Sequence, residues 1–127
     1  MTENEITKIV FVKGLKIHRE LGPGLLESVY EECLYYELIN KGLAVERQKP
    51  ISINYSGISL KNKFIADIIV ENKLLIELKS VNELKEIHFA QTLTYLRLTK
   101  IKLGLLINFN ESLFKSGVRR IINGQLS

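Results

Sequence analysis

Apolar and polar positions alternate along this chain with two different periods, and the changes of period predict its elements. From about Glu3 to Leu21, Ile6, Ile9, Val10, Ile17 and Leu21 recur at helical spacing, so an amphipathic helix opens the chain. Gly22, Pro23 and Gly24 end it, because glycine terminates a helix at little cost and proline cannot continue one. A second helix follows from about Leu25 to Asn40, with Gly42 as its stop. On it Glu27 shares a stripe with Tyr30, Glu31 and Leu34, while Leu26, Val29, Cys33 and Tyr36 stand at core spacing.

From Leu43 to Leu60 the pattern changes to short β-type segments. Ile51, Ile53 and Tyr55 alternate with Ser52 and Asn54, Pro50 marks an edge or a bulge, and Ser56-Gly57 marks a turn. Phe64 to Lys79 then reads as two apolar strands of about seven residues each, joined by Glu71, Asn72 and Lys73 as a β-hairpin. After it, Ser80 and Glu83 stand in capping-box spacing, with Asn82 as a rival N-cap, and predict a helix from there to about Leu98. Leu103 to Phe109 is apolar on both faces, as in a buried strand parallel to its neighbour across a helical crossover. The tail from Glu111 to Gly124 fits a short basic helix or a final edge strand. The whole reads as one α/β domain over residues 1–127, of order αβββαβ.

The hairpin carries the chemistry. With a three-residue loop, Val70 faces Leu74 and Asp67 sits directly opposite Glu77. Alternation then puts Ala66, Ile68, Val70, Leu74, Ile76 and Leu78 on one apolar face. The other face carries Asp67, Glu77 and Lys79 among Ile65, Ile69 and Leu75. Two carboxylates facing each other amid branched apolar side chains are destabilising unless a cation lies between them. The third helix adds His88, Gln91 and Tyr95 at spacings of three and four, one stripe that starts beside Glu77 and Lys79. On spacing alone, surface hydrogen bonding is the better explanation of Gln91 and Tyr95, and His88 reads as a surface or supporting residue rather than a ligand, with no second histidine or cysteine at ligand spacing.

Composition narrows the setting. A chain of 127 residues, 46% of them hydrophobic, can bury a core without staples. Cys33 stands alone, which suits a buried structural thiol in a reducing cytoplasm. No apolar leader opens the chain and no run approaches a membrane span, so a soluble protein without membrane partners is expected. A net charge of +4 favours anionic partners mildly, with the basic residues spread along the chain.

The segments HRELGPGLLESVYEE, ADIIVENKLLIELKS, HFAQTLTYLRLT and GLLINFN together resemble the GxxExxY protein family, a branch of the PD-(D/E)XK nuclease superfamily. Gly24, Glu27 and Tyr30 supply the Gly-x-x-Glu-x-x-Tyr motif, and Gln91 with Tyr95 looks like the Gln-x-x-x-Tyr motif of RecB-type nucleases. The resemblance implies a restriction-endonuclease-like core and a metal-dependent nuclease. It implies that Asp67 and Glu77 ligate Mg2+ or Mn2+, that Glu27 completes or supports the metal site, and that Lys79 is the catalytic lysine. It further implies that Gln91, Tyr95, Tyr30 and His88 line the substrate cleft. An arginine is common in the family just before the Ala-Asp pair, and Ile65 stands there instead, a departure that bears on substrate affinity.

The expected substrate is nucleic acid, with DNA first. A bare core has little room for a sequence-reading module, and a homodimer is the commonest way to bring two sites to a duplex. The alternatives are a catalytically silent nucleic-acid-binding or protein-interaction module that keeps the fold, and a small-molecule metallohydrolase.

Overall fold

The structure is a computed structural model and describes residues 1–126. Helix α1 spans Glu3–Leu21, and Thr2 caps it by accepting from the Glu5 N–H while the Glu5 carboxylate accepts from the Thr2 N–H. Helix α2 spans Glu27–Asn40. Strands β1 (Val45–Tyr55), β2 (Ile58–Val70) and β3 (Leu74–Lys79) follow, then α3 (Glu86–Thr99) and β4 (Leu103–Asn108). Of the two alternatives for the tail, the edge strand is the one found: after a 3-10 turn over Phe114–Gly117 comes a short strand β5, Val118–Ile122, at the end of the sheet.

The strands lie side by side in chain order, β1 to β5, and only the β3–β4 pair, joined through α3, is parallel. This is the mixed sheet expected. β4 is buried at every position, as an interior strand covered on both faces must be. On one face, Ile68, Val70, Leu74, Ile76, Leu78 and Leu105 pack against Ile6, Val10 and Ile17 of α1 and Tyr30, Leu34 and Leu38 of α2. On the other, Ile69 and Leu75 pack with Leu96 of α3 and with Ile101. Gly14 lets α1 approach closely, since a Cβ there would lie 2.3 Å from Cζ of Phe114. Among the described residues no helix is long and apolar enough to cross a membrane.

Four sequence expectations need correcting. The first strand of the central hairpin is not a seven-residue piece but the end of a 13-residue strand. Helix α3 begins at Glu86, because the Ser80 hydroxyl donates to the carbonyl of Leu25 instead of capping a helix. The core face of α2 is Tyr30, Leu34 and Leu38; Leu26 and Tyr36 are exposed, and Cys33 is only half-buried, its thiol pushed up first by the burial it has. Ala66 joins Phe64, Ile69 and Leu75 on the α3 side, whereas Ile68 packs on the other, so the strand's alternation breaks at Asp67.

Candidate active site

The break at Asp67 makes the site. The β2–β3 ladder pairs Val70 with Leu74, Ile69 with Leu75 and Ile68 with Ile76, the register that the three-residue loop predicts. One step further on, side chains replace the backbone ladder. The Asp67 N–H donates to Glu77 Oε2 at 3.0 Å, and the Leu78 N–H donates to Asp67 Oδ2 at 2.9 Å. Each carboxylate is therefore held by the opposite strand and keeps its second oxygen for something else.

That arrangement is electrostatically unfinished. Glu77 is only 6% exposed, and burial, followed by the negative charge of Asp67, pushes its carboxyl up to about 8. Lys79, half-buried one side-chain pitch further along β3, draws Glu77 the other way but does not offset burial and the Asp67 charge. Glu27, in the first turn of α2, is exposed at the same site. Its carboxyl is pushed up by desolvation and by Asp67 and Glu31, and drawn down by Lys79 and His88. Tyr95 lies flat on Phe64, ring centroids 3.9 Å apart and planes 6° apart. Its phenol is pushed up by desolvation and then by the charges of Glu77 and Asp67.

Asp67, Glu77, Lys79, Glu27 and Tyr95 thus share one electrostatic neighbourhood at the C-terminal end of β3. His88 sits in the first turn of α3, its Nδ1 accepting from the Lys85 N–H at 2.9 Å. Gln91 is exposed one turn before Tyr95. Tyr30 does not line the cleft: it is fully buried, stacked on Phe109 at 4.4 Å, with its hydroxyl donating to the Gly22 carbonyl and accepting from the Leu25 N–H. Its place is under the Gly22–Leu26 turn that launches Glu27. Asn108, paired with Lys79 across β3–β4, holds the outgoing chain by bonding both N–H and C=O of Val81.

Three residues beyond the expected set join the carboxylates. Glu31, 6% exposed, accepts from Arg47 Nε at 2.7 Å and from Gln48 Nε2 at 2.5 Å. Gln48 Nε2 also reaches Asp67 Oδ1 at 3.3 Å. Gln48 has φ of 51°, the left-handed region that a glutamine in a strand rarely adopts. This turn of the backbone, opposite Asp67 on β1, aims its side chain between the two carboxylates.

Comparison with known proteins decides the family. A model of the PD-(D/E)XK nuclease superfamily matches residues 4–121. The chain belongs to that superfamily. Among solved structures, the PD-(D/E)XK chain is similar to a crystal structure of SSO0001, at 25% identity over 79% of this chain and 50% of that one, with a TM-score of 0.53. It is also similar to an alkaline exonuclease, LHK-Exo, from Laribacter hongkongensis, at 16% identity over 71% of this chain and 52% of that one, with a TM-score of 0.49. The chain spans about half the length of each. A search of curated proteins finds no match.

The superfamily generally uses divalent metals, and the residues present fit one. Among the described residues no three His, Cys, Asp or Glu side chains are grouped closely enough to form a metal cage. A magnesium site does not need one, since that ion is usually bound through one or two carboxylates and keeps several waters. Asp67 and Glu77 supply two carboxylates, Glu77 with one oxygen to spare and Asp67 with Oδ1 met by Gln48 at 3.3 Å, and burial leaves Glu77 in want of a counter-charge.

Proposed function

We propose that this PD-(D/E)XK protein is a metal-dependent nuclease that hydrolyses phosphodiester bonds of nucleic acid, with DNA as its substrate and Mg2+ or Mn2+ as its cofactor. The observation that carries the reading is the reciprocal holding of Asp67 and Glu77 where the β2–β3 ladder opens, with Lys79 next in line. Asp67 and Glu77 would hold the cation, with Glu27 reaching the same site from α2. A divalent cation held there would lower the pKa of a water and neutralise phosphoryl oxygens.

The remaining roles belong to the chain. Lys79 orients the attacking water or offsets the charge that grows on the phosphoryl oxygens. Tyr95, braced flat on Phe64, presents its hydroxyl beside the carboxylates and limits where a phosphate can sit. The Ser80 hydroxyl, on the Leu25 carbonyl at 2.6 Å, ties the end of β3 to the turn before Glu27, so that Lys79 and Glu27 keep their relative positions.

The silent-module reading draws on one observation, the lack of a third carboxylate, histidine or cysteine grouped with the pair among the described residues. A cleavage panel separates the two. Linear and circular duplex DNA, single-stranded DNA and RNA are each incubated with magnesium or manganese, beside Lys79→Ala. Metal-dependent cutting that the substitution abolishes is the expected result. No cutting of any substrate, together with no metal binding by calorimetry, would overturn the nuclease reading in favour of the silent module.

A further inference from the structure

The β1–β2 hairpin outgrows the sheet that carries it. β2 pairs with β3 only over Ile68–Val70, so its residues from Ile58 to about Ala66 have only β1 beside them among the described strands. Ile51, Ile53 and Phe64 seat the base of this ribbon on the α3 side of the sheet. Beyond that base every residue from Asn54 to Lys63 is exposed.

Its charge and its tip are one-sided too. Residues 49–66 contain Lys49, Lys61 and Lys63 and no Asp or Glu, in a chain with 14 acidic residues. Lys49 is ion-paired with Glu46, whereas among the described residues neither Lys61 nor Lys63 is paired. At the tip Ser56 and Gly57 both have positive φ, the two-residue turn that keeps a hairpin's twist. The cross-strand pair that brackets it is Tyr55 and Ile58, 68% and 61% exposed. Lys63 and Ile65 stand at alternate positions and share the face turned away from Phe64 and α3, the side on which α2 and Glu27 lie, while Lys61 stands in the irregular stretch between Ser59 and Lys63.

We propose that this ribbon is a docking arm for the nucleic acid that flanks the candidate site, an inference that rests on the nuclease reading above. Lys61 and Lys63 meet backbone phosphates, and Tyr55 with Ile58 offers an apolar tip on which a base or sugar can rest. A two-stranded ribbon is also narrow enough for a major groove. At about 3.4 Å per residue, Lys63 lies ~14 Å from Asp67 along the strand, with Lys61 further out. With the duplex lying along the arm, Lys63 is roughly four base pairs from the scissile phosphate, at 3.4 Å of rise each. A second copy of the chain is the poorer occupant: Pro50 and the left-handed Gln48 interrupt the β1 edge that strand addition would need, and two such ribbons repel.

The test is binding of a fluorescent 30-base-pair duplex in EDTA across a salt series, with the native chain, Lys61→Gln/Lys63→Gln, and Lys8→Gln/Lys41→Gln as a control of equal charge change. Two lost phosphate contacts should lower the slope of log affinity against log salt by about 1.8 and weaken binding roughly tenfold near physiological salt. The control should keep the native slope. Tyr55→Ala should weaken binding while leaving the slope alone. A native slope in the Lys61/Lys63 variant, or an equal loss in the control, overturns the arm while leaving the nuclease reading in place. No salt-dependent binding by the native chain at all would also overturn the arm, and the cleavage panel then decides the nuclease reading separately.

Discussion

Asp67 and Glu77 face each other across the one point where β2 and β3 stop sharing a backbone ladder, and each carboxylate accepts an N–H from the opposite strand. Without a cation, that contact is most favourable when Glu77 carries a proton. Its carboxyl titrates near 8 in the fold against an ordinary value of 4.5. The folded chain therefore binds this proton more tightly than the unfolded chain does. The stabilisation it brings is complete below about 4.5 and is lost as pH rises through about 8. Melting temperatures in EDTA should fall over that span, and Glu77→Gln, which mimics the protonated form, should flatten the fall. Parallel curves for the two proteins would contradict this.

On the proposed nuclease reading, Lys79→Ala should lower kcat by about 10²- to 10⁴-fold with KM little changed, since the lysine would act on the reacting water and phosphoryl group rather than on the bound strand. Asp67→Asn and Glu77→Gln should cost rate as well, through the cation. Steady-state kinetics and melting curves measured together check this. Full rates in all three variants would remove these residues from the chemistry.

Gln48→Leu removes the donor shared by Glu31 and Asp67. Metal affinity should drop about 10- to 100-fold, the usual cost of losing an outer partner that orients a ligand. Arg47→Ala, which takes the cation from the buried Glu31 carboxylate, should instead cost about 2 kcal/mol of stability. Calorimetric metal titration and urea unfolding tell the two effects apart; equal changes in both measurements for both variants would deny the division of roles.

Tyr30→Phe deletes one hydroxyl that serves both the Gly22 carbonyl and the Leu25 N–H. Stability should fall by about 1–3 kcal/mol. Metal affinity should stay near native, because Asp67 and Glu77 sit on strands that Tyr30 does not touch through that hydroxyl. A variant that folds as stably as the native chain but binds nucleic acid poorly would return Tyr30 to the cleft.

What the sequence revealed follows the distance over which each feature is set. The Asp67–Glu77 juxtaposition was legible because a three-residue loop fixes the register only a few residues away. Gln48 was not. Counting back from the Ser56–Gly57 turn, where Tyr55 pairs with Ile58, would place Gln48 opposite Ile65. The irregularity between Ser52 and Asn54 shifts the register by two, and Lys49 pairs with Ala66, which brings Gln48 to Asp67. The start of α3 was misread because Ser80 finds its partner 55 residues away, at Leu25. The core face of α2 was misread because both faces carry apolar residues, and only the position of the sheet chooses Tyr30, Leu34 and Leu38 over Leu26 and Tyr36.

The order of the strands has a consequence for how the molecule reaches this state. Because every strand lies beside its neighbours in the chain, most of the sheet closes through short loops, which makes for rapid assembly. Hairpins form within about 1–10 μs, well before distant helices dock. Asp67 and Glu77, ten residues apart, are then pressed together at the start of folding, before Glu31, Gln48 and the α2 turn arrive around them. Their repulsion burdens that hairpin, but the burial that does most to push Glu77 up comes only as the helices dock, so the stability lost as pH approaches about 8 should appear chiefly as faster unfolding in stopped-flow measurements. A pH dependence confined to the refolding limb would show instead that the pair is already buried in the nucleus.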